Sequence, residues 1–304
     1  MIAFLFPGQG SQFSGMGKDL ADNFTCAKRV FEEASDSLGF DIAAMCFHGS
    51  EEELKLTANT QPAILTASVA VLRVVEQETD LTPAFVAGHS LGEYSALVCS
   101  GVLSLADAVR TVRQRGTFMQ QAVPVGVGAM AAIMGIEGSD LEQLCDDAAE
   151  GEVVSPANFN SPGQVVIAGH ATAVERAMIL AKERGAKRAL SLPVSAPFHS
   201  SLMAPAATRL GTVLSEIAIG DFSCPVVGNV EAAPYQEPER VKPLLVEQVC
   251  APVRWDESVL KMREIGVERF VEIGPGKVLS GLVKRIARGT EVQNVADVAG
   301  LKKL

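Results

Sequence analysis

Gly88-His89-Ser90-Leu91-Gly92 lies between the apolar run Ala84 to Ala87 and the helix-forming run Glu93 to Cys99. A G-x-S-x-G segment between a strand and a helix forces a sharp turn and leaves the serine exposed at a helix N-terminus. The unpaired N–H groups there, Leu91 first, can stabilise a developing oxyanion. The same letters also fit an ordinary glycine-rich turn, so the surrounding pattern has to decide. Ile2 to Phe6 is wholly apolar and ends at Pro7-Gly8-Gln9-Gly10, as a buried strand opening into a loop does. Asn23 to Leu38 and Gln61 to Glu78 read as helices, with Ser50-Glu51-Glu52-Glu53 as a capping box between them. Arg269 to Ile273 is another apolar strand, turned by Gly274-Pro275-Gly276 into a helix rich in Leu and Lys/Arg. An α/β fold follows.

Between Val123 and Val194 the elements shorten. Gly128 to Gly135 reads as a strand, and Ser139-Asp140-Leu141-Glu142 as the cap of a helix to about Glu150. Val153 to Phe159 and Gln164 to Ala168 flank Asn160-Ser161-Pro162-Gly163 as a hairpin. Thr172-Ala173-Val174-Glu175 is expected to cap a helix with Val174, Ala177, Met178 and Ala181 on one face, ending at Gly185. Ala186 to Val194 closes as a strand. The order βαββαβ is that of a ferredoxin-like unit inserted in a larger domain. The predicted division is 1–122 plus 196–304 for the large domain and 123–195 for the insert.

Composition narrows the function. With 26 Lys+Arg against 36 Asp+Glu among 304 residues, the net charge is −10, and no local basic patch has the density that nucleic-acid binding requires. The six cysteines form no C-x-x-C pair and no histidine cluster joins them, so no metal site is expected and they read as buried thiols of a reducing compartment. There is no cationic leader, and no apolar run reaches the roughly eighteen residues of a membrane span. A cytoplasmic protein is expected.

A serine nucleophile needs a general base, and there are four histidines. His48 reads as a surface loop residue and His170 as a turn residue. The His89 side chain leaves the strand on the face opposite Ser90 and is expected to support the site. His199, in the loop Ser195-Ala196-Pro197-Phe198-His199-Ser200, is the best base. No acid occupies a suitable loop between Ser90 and His199, so a Ser–His dyad oriented by something weaker than a carboxylate is expected. On the helix from Ser104 through Gln121, at about 100° per residue, Arg110 falls opposite the apolar stripe, Arg113 at its flank, and Arg115 leans inward. A buried arginine suits an anionic substrate; a snorkelling arginine fits the same geometry. Gly8-Gln9-Gly10 lacks the third glycine of a dinucleotide loop, and Gly276-Lys277 lacks the spacing of a phosphate loop.

These residues sit in longer motifs. Phe6-Pro7-Gly8-Gln9-Gly10-Ser11-Gln12, Gly88-His89-Ser90-Leu91-Gly92-Glu93-Tyr94, Arg115-Gly116 with Phe118-Met119-Gln120, Asn158 to Gln164, the His199 loop and Glu272 to Gly276 together resemble the malonyl-CoA:acyl carrier protein transacylases of bacterial fatty acid synthesis, over nearly the whole chain. The resemblance implies an α/β-hydrolase-like large domain with an inserted ferredoxin-like (βαββαβ) subdomain and the site in the cleft between them. It makes Ser90 the nucleophile, His199 its base, the Gln9 and Leu91 backbone N–H groups the oxyanion hole, and Arg115 the clamp for a malonyl carboxylate. The Gln248 carbonyl would orient His199. Gln248, Asn160, Met119, His89 and Phe198 would join Arg115 around the substrate, Phe198 narrowing the acyl pocket. Malonyl-coenzyme A and an acidic acyl carrier protein are the implied partners; no cofactor, nucleic acid or membrane is, and a monomer is expected. A serine hydrolase or thioesterase and a polyketide-pathway acyltransferase are the rival readings. Residues 254–304 carry ten basic and seven acidic side chains, so charge is segregated along an acidic chain. The segment Lys182 to Arg188 adds four basic residues against Glu183 alone, and from these two segments Lys187, Arg188, Lys284, Arg285 and Arg288 are expected to steer the acidic partner.

Overall fold

The computed structural model describes residues 1–194 and 196–304; Ser195, which closes the predicted insert, lies outside the described residues. Eleven strands form two sheets: β1 Ile2–Phe6, β2 Phe85–Gly88, β3 Gly128–Met134, β4 Val154–Ser161, β5 Gln164–His170, β6 Arg188–Ser191, β7 Val226–Val227, β8 Pro234–Tyr235, β9 Val253–Arg254, β10 Arg269–Ile273 and β11 Glu291–Val295. The larger sheet has the order β11-β10-β1-β2-β7-β8, parallel except at the β8 edge.

The central strand β1 explains its own sequence. Phe4 and Phe6 face the core built with the helices Thr25–Leu38, Thr57–Glu78 and Leu105–Gln121. Ala3 and Leu5 face the core built with Trp255–Glu264 and Val278–Ile286. Since side chains alternate along a strand, a strand covered on both faces has to be apolar at every position. Val86 and Ala87 of β2 divide the same way. No helix among the described residues is long and apolar enough to cross a membrane.

The second sheet has the order β6-β3-β5-β4-β9, and its first four strands have the βαββαβ chain order read from the sequence. Helices Gly138–Ala149 and Ala171–Glu183 cover one face, packing Leu141, Leu144, Val174, Ala177 and Ala181 on Ala131, Ile133, Val165 and Ile167. The opposite face contributes Met130, Ala132, Ala157, Val166 and Ala168 to the core of the larger sheet. The insert therefore stands on the large unit, and β9, from late in the chain, pairs parallel with β4.

Several local expectations are corrected. Neither predicted capping box in the insert forms. The first of these helices begins at Gly138 and the second at Ala171, each a residue ahead of the intended cap, and neither has a side-chain cap. The Thr172 hydroxyl instead donates to the Glu152 carboxylate at 2.7 Å. Among the described residues only Ser50–Glu53 closes as a capping box, on the short helix Glu51–Lys55. The closing strand is limited to Arg188–Ser191. His48 ends the helix Ile42–His48 and is no loop residue.

Candidate active site

β2 ends at Gly88 and the next helix starts at Gly92, so three residues make the turn. A methyl on Gly88 would lie 1.9 Å from the Gly92 carbonyl carbon, and one on Gly92 would lie 2.1 Å from the Phe6 oxygen, so only glycine fits at either end. Between them Ser90 has φ 51°, a left-handed conformation that L residues other than Asn and Asp rarely adopt. The turn is pinned from 139 residues away: the Ser90 N–H donates to Asn229 Oδ1 at 2.6 Å, and Asn229 Nδ2 donates to the Gly88 carbonyl at 2.7 Å. Strain held by surrounding bonds is common where a reactive group must be presented.

His199 also has positive φ, 58°, and its Nε2 lies 2.8 Å from Ser90 Oγ. Its Nδ1 faces two carbonyls, Gln248 at 2.8 Å and Ala251 at 3.1 Å. Carbonyls only accept, so Nδ1 carries the proton and Nε2 is left as the acceptor for the Ser90 hydroxyl. Burial, followed by the Arg115 charge, pushes His199 down to about 3, which keeps the ring neutral at pH 7. Among the described residues no carboxylate touches the His199 ring; the Gln248 and Ala251 carbonyls hold its Nδ1.

Arg115 is 1% exposed. Its Nη1 donates to Gln61 Oε1 at 3.0 Å; its Nη2 donates to Gln248 Oε1 at 2.9 Å and to Ser90 Oγ at 3.1 Å. All three partners are neutral, and no carboxylate among the described residues forms an ion pair with it. The Tyr94 ring lies 5.6 Å from the guanidinium carbon. The helical reading separated the three arginines as they stand here. Arg110 pairs with Asp107 at the surface, and Arg113 donates to the Ala58 carbonyl at the flank.

Ser90, His199 and Arg115 line a cavity of about 130 Å³ together with Gln9, Leu91, Met119, His89 and Phe198. Gln248 and Asn160 do not line it. Gln248 is 1% exposed and lies behind Arg115, donating from Nε2 to the Ser90 carbonyl at 3.0 Å. Asn160 accepts from His89 Nε2 at 2.8 Å, and its strand neighbour Asn158 reaches the cavity instead. The Gln9 and Leu91 amides donate to no other group among the described residues. An adjoining cavity of about 370 Å³ shares Gln9, Leu192 and Val194 with the first, and those last two residues follow β6 where a longer strand was expected.

Sequence reasoning missed Gln61, Asn229 and the structural use of Glu93. The first two are lone neutral residues in unremarkable contexts. Glu93 did offer a signal: an acid in the first turn of an otherwise uncharged helix that is buried from Gly92 to Val98.

A parallel α/β sheet that presents a strained serine to a neutral histidine defines a catalyst of acyl transfer through a serine ester. Residues 3–303 match the family described as the acyl transferase domain, and the chain belongs to that family. It is 54% identical to the malonyl CoA-acyl carrier protein transacylase of Bacillus subtilis, over 97% of this chain and 93% of the relative. The crystal structure of an acyl carrier protein S-malonyltransferase from Vibrio cholerae superimposes with a TM-score of 0.97 at 53% identity, covering 99% of both chains. A malonyl-transacylase solved in complex with its type II polyketide acyl-carrier protein has a TM-score of 0.97 at 50% identity, over 99% of this chain and 98% of that one.

Proposed function

We propose that this enzyme moves a malonyl group from malonyl-coenzyme A to the phosphopantetheine thiol of acyl carrier protein, through a malonyl ester on Ser90, in fatty acid synthesis. One observation carries the reading. Ser90 Oγ is shared between the neutral His199 and a buried arginine that no carboxylate among the described residues contacts directly. The carboxylate nearest the guanidinium, Glu93, reaches it only through the Gln248 amide, so a direct ionic partner is missing and a substrate carboxylate supplies it.

Ser90 Oγ attacks the thioester carbonyl as His199 Nε2 takes its proton. The tetrahedral oxyanion is held by the N–H groups of Gln9 and Leu91, the second at the N-terminus of the helix Gly92–Cys99. Collapse expels the coenzyme A thiolate, which takes the proton from His199. The carrier thiol then repeats the sequence in reverse, giving ping-pong kinetics. A malonyl carboxylate on Arg115 also offsets the charge that depresses His199, so the base strengthens when the right acyl group is present. The second cavity suits the pantetheine arm, since it opens onto the site between Gln9 and Val194.

Arg115→Ala should weaken malonyl binding by about 2 to 5 kcal/mol, the usual cost of leaving one member of a buried charged pair alone. Acetyl transfer should suffer far less, because acetyl offers no carboxylate to a planar two-pronged guanidinium. Single-turnover acylation with both thioesters is the measurement. Equal losses would make Arg115 structural and remove the case for malonyl.

Of the five basic residues expected to steer the carrier, all are exposed. Arg285 Nη1 donates to Gln164 Oε1 at 2.6 Å, tying the helix Val278–Ile286 to the hairpin whose β4 carries Asn158 and Asn160. Lys284 beside it has no ion-pair partner among the described residues. Lys284→Glu should raise KM for carrier protein, leave acylation by malonyl-coenzyme A unchanged, and flatten the salt dependence of transfer. Wild-type transfer kinetics at low salt would take Lys284 out of the docking surface.

A further inference from the structure

Ser90, His199 and Arg115 come from three separate segments, and one side chain outside the proposed mechanism ties their supports together. Glu93, 1% exposed, accepts from Gln248 Nε2 at 2.7 Å, from the Asn229 backbone N–H at 3.1 Å and from the Tyr235 hydroxyl at 3.2 Å. Asn229 pins the Ser90 turn through its Oδ1 and Nδ2. Gln248 receives the Arg115 guanidinium on Oε1 and His199 Nδ1–H on its backbone carbonyl. We propose that Glu93 is the positioning residue of this site, its carboxylate fixing the Asn229 and Gln248 anchors and so the Ser90 turn, the Arg115 guanidinium and the His199 ring. The inference rests on the acyl-transfer reading of Ser90 and His199.

The chemistry of the three contacts favours the ionised form. The Gln248 and Asn229 N–H groups can only donate, and both meet Oε2; the Tyr235 hydroxyl donates to Oε1 of a carboxylate and has to reverse its bond against a carboxylic acid. The carboxylate also decides which way the Gln248 amide points. With an anion on one side, Nε2 must face Glu93, and Oε1 is thereby turned to Arg115. If the amide flips, an oxygen faces an anion and an N–H₂ faces a guanidinium, both repulsive. Glu93 thus does at one remove what the buried acid of a Ser–His–Asp triad does by direct contact.

The device has a pH signature. Tyr94 on its own helix, Arg115 from the helix Leu105–Gln121 and Tyr235 from β8 are the charged or titratable groups facing Glu93; Arg240 stacks behind Tyr235, and His199 lies beyond Gln248. Burial pushes Glu93 up to about 7, against the pull of its three donors and Arg115. His199 titrates much lower, so the acid limb of acylation near neutrality belongs to Glu93, and activity falls as pH drops through its value.

The test is single-turnover acylation from pH 5 to 9 with malonyl-pantetheine, whose lack of phosphates keeps substrate titration out of the window. The wild type should lose rate below about pH 7. Glu93→Gln, of the same shape, should lose at least about tenfold at pH 8 and show no limb between pH 5 and 8. Tyr235→Phe removes one donor to the carboxylate and keeps the ring, so its limb should move up by about one pH unit. That variant decides the matter should Glu93→Gln fail to fold. An unmoved limb in Tyr235→Phe, or a Glu93→Gln enzyme that keeps the wild-type limb, would overturn the proposal. Absence of any acyl group on wild-type Ser90 would overturn the acyl-transfer reading instead, a separate and visible failure.

Discussion

Ser90→Ala protein mixed with malonyl-coenzyme A is expected to carry no covalent acyl group and to show no transfer above background, with its thermal unfolding close to wild type. Ser90 Oγ is the only hydroxyl that both His199 Nε2 and Arg115 Nη2 reach among the described residues. Its side chain makes no other bond there, while the turn is held by backbone and by Asn229. Removing the oxygen thus removes the acceptor and leaves the scaffold. Alanine at φ 51° is as strained as serine, so a small change in stability is expected and a large one is not. Intact-mass measurement and a melting curve check both halves. An acyl group found on another residue of the variant would move the nucleophile elsewhere.

His199→Ala should slow acylation by about 10²- to 10⁴-fold, the usual contribution of a positioned general base. The ring is held by two carbonyls in the one tautomer that leaves Nε2 free, so no other histidine can substitute: His89 is committed to Asn160. The double variant with Ser90→Ala should be no worse than Ser90→Ala alone, because groups that act as one unit lose their effect together. Rapid-quench acylation measures the single variant. An unchanged rate would assign the base to another group, His89 first.

The parts of this site that the sequence reveals are those whose chemistry imposes a local pattern. Two glycines bracket Ser90 because a β-carbon at either would collide with backbone, and that collision is written in adjacent letters. Arg115 is legible because helix geometry converts spacing into direction, and the inward arginine of the three is the one that reaches Ser90. Something weaker than a carboxylate beside His199 is the sequence expectation, since most acids between Ser90 and His199 read as helix residues; in the structure the carbonyls of Gln248 and Ala251 face its Nδ1. Asn229, Gln248 and Glu93 were harder. Their side-chain contacts within the site span separations of 133 to 158 residues, and a lone amide has no spacing rule to betray it. The fold divides similarly. The apolar run of β1 announces a strand covered on both faces, whereas the joining of β9 to β4 rests on two residues far along the chain. The failed caps at Ser139 and Thr172 show local preference yielding to context, Thr172 finding Glu152 across the insert.

The boundaries of the two units, 1–122 with 196–304 and 123–195, are a proposal that limited proteolysis can examine. The apolar face shared by β3, β5 and the large core argues that neither unit moves freely of the other.

A chase of the isolated acyl-enzyme tests the central claim most directly. Protein acylated with malonyl-coenzyme A is freed of coenzyme A and divided between buffer and buffer with phosphopantetheine-bearing carrier protein. The expected result is rapid appearance of malonyl on the carrier thiol and a long-lived ester in buffer alone. Release of free malonate at the same rate in both samples, with none on the carrier, would contradict the account and make the protein a hydrolase.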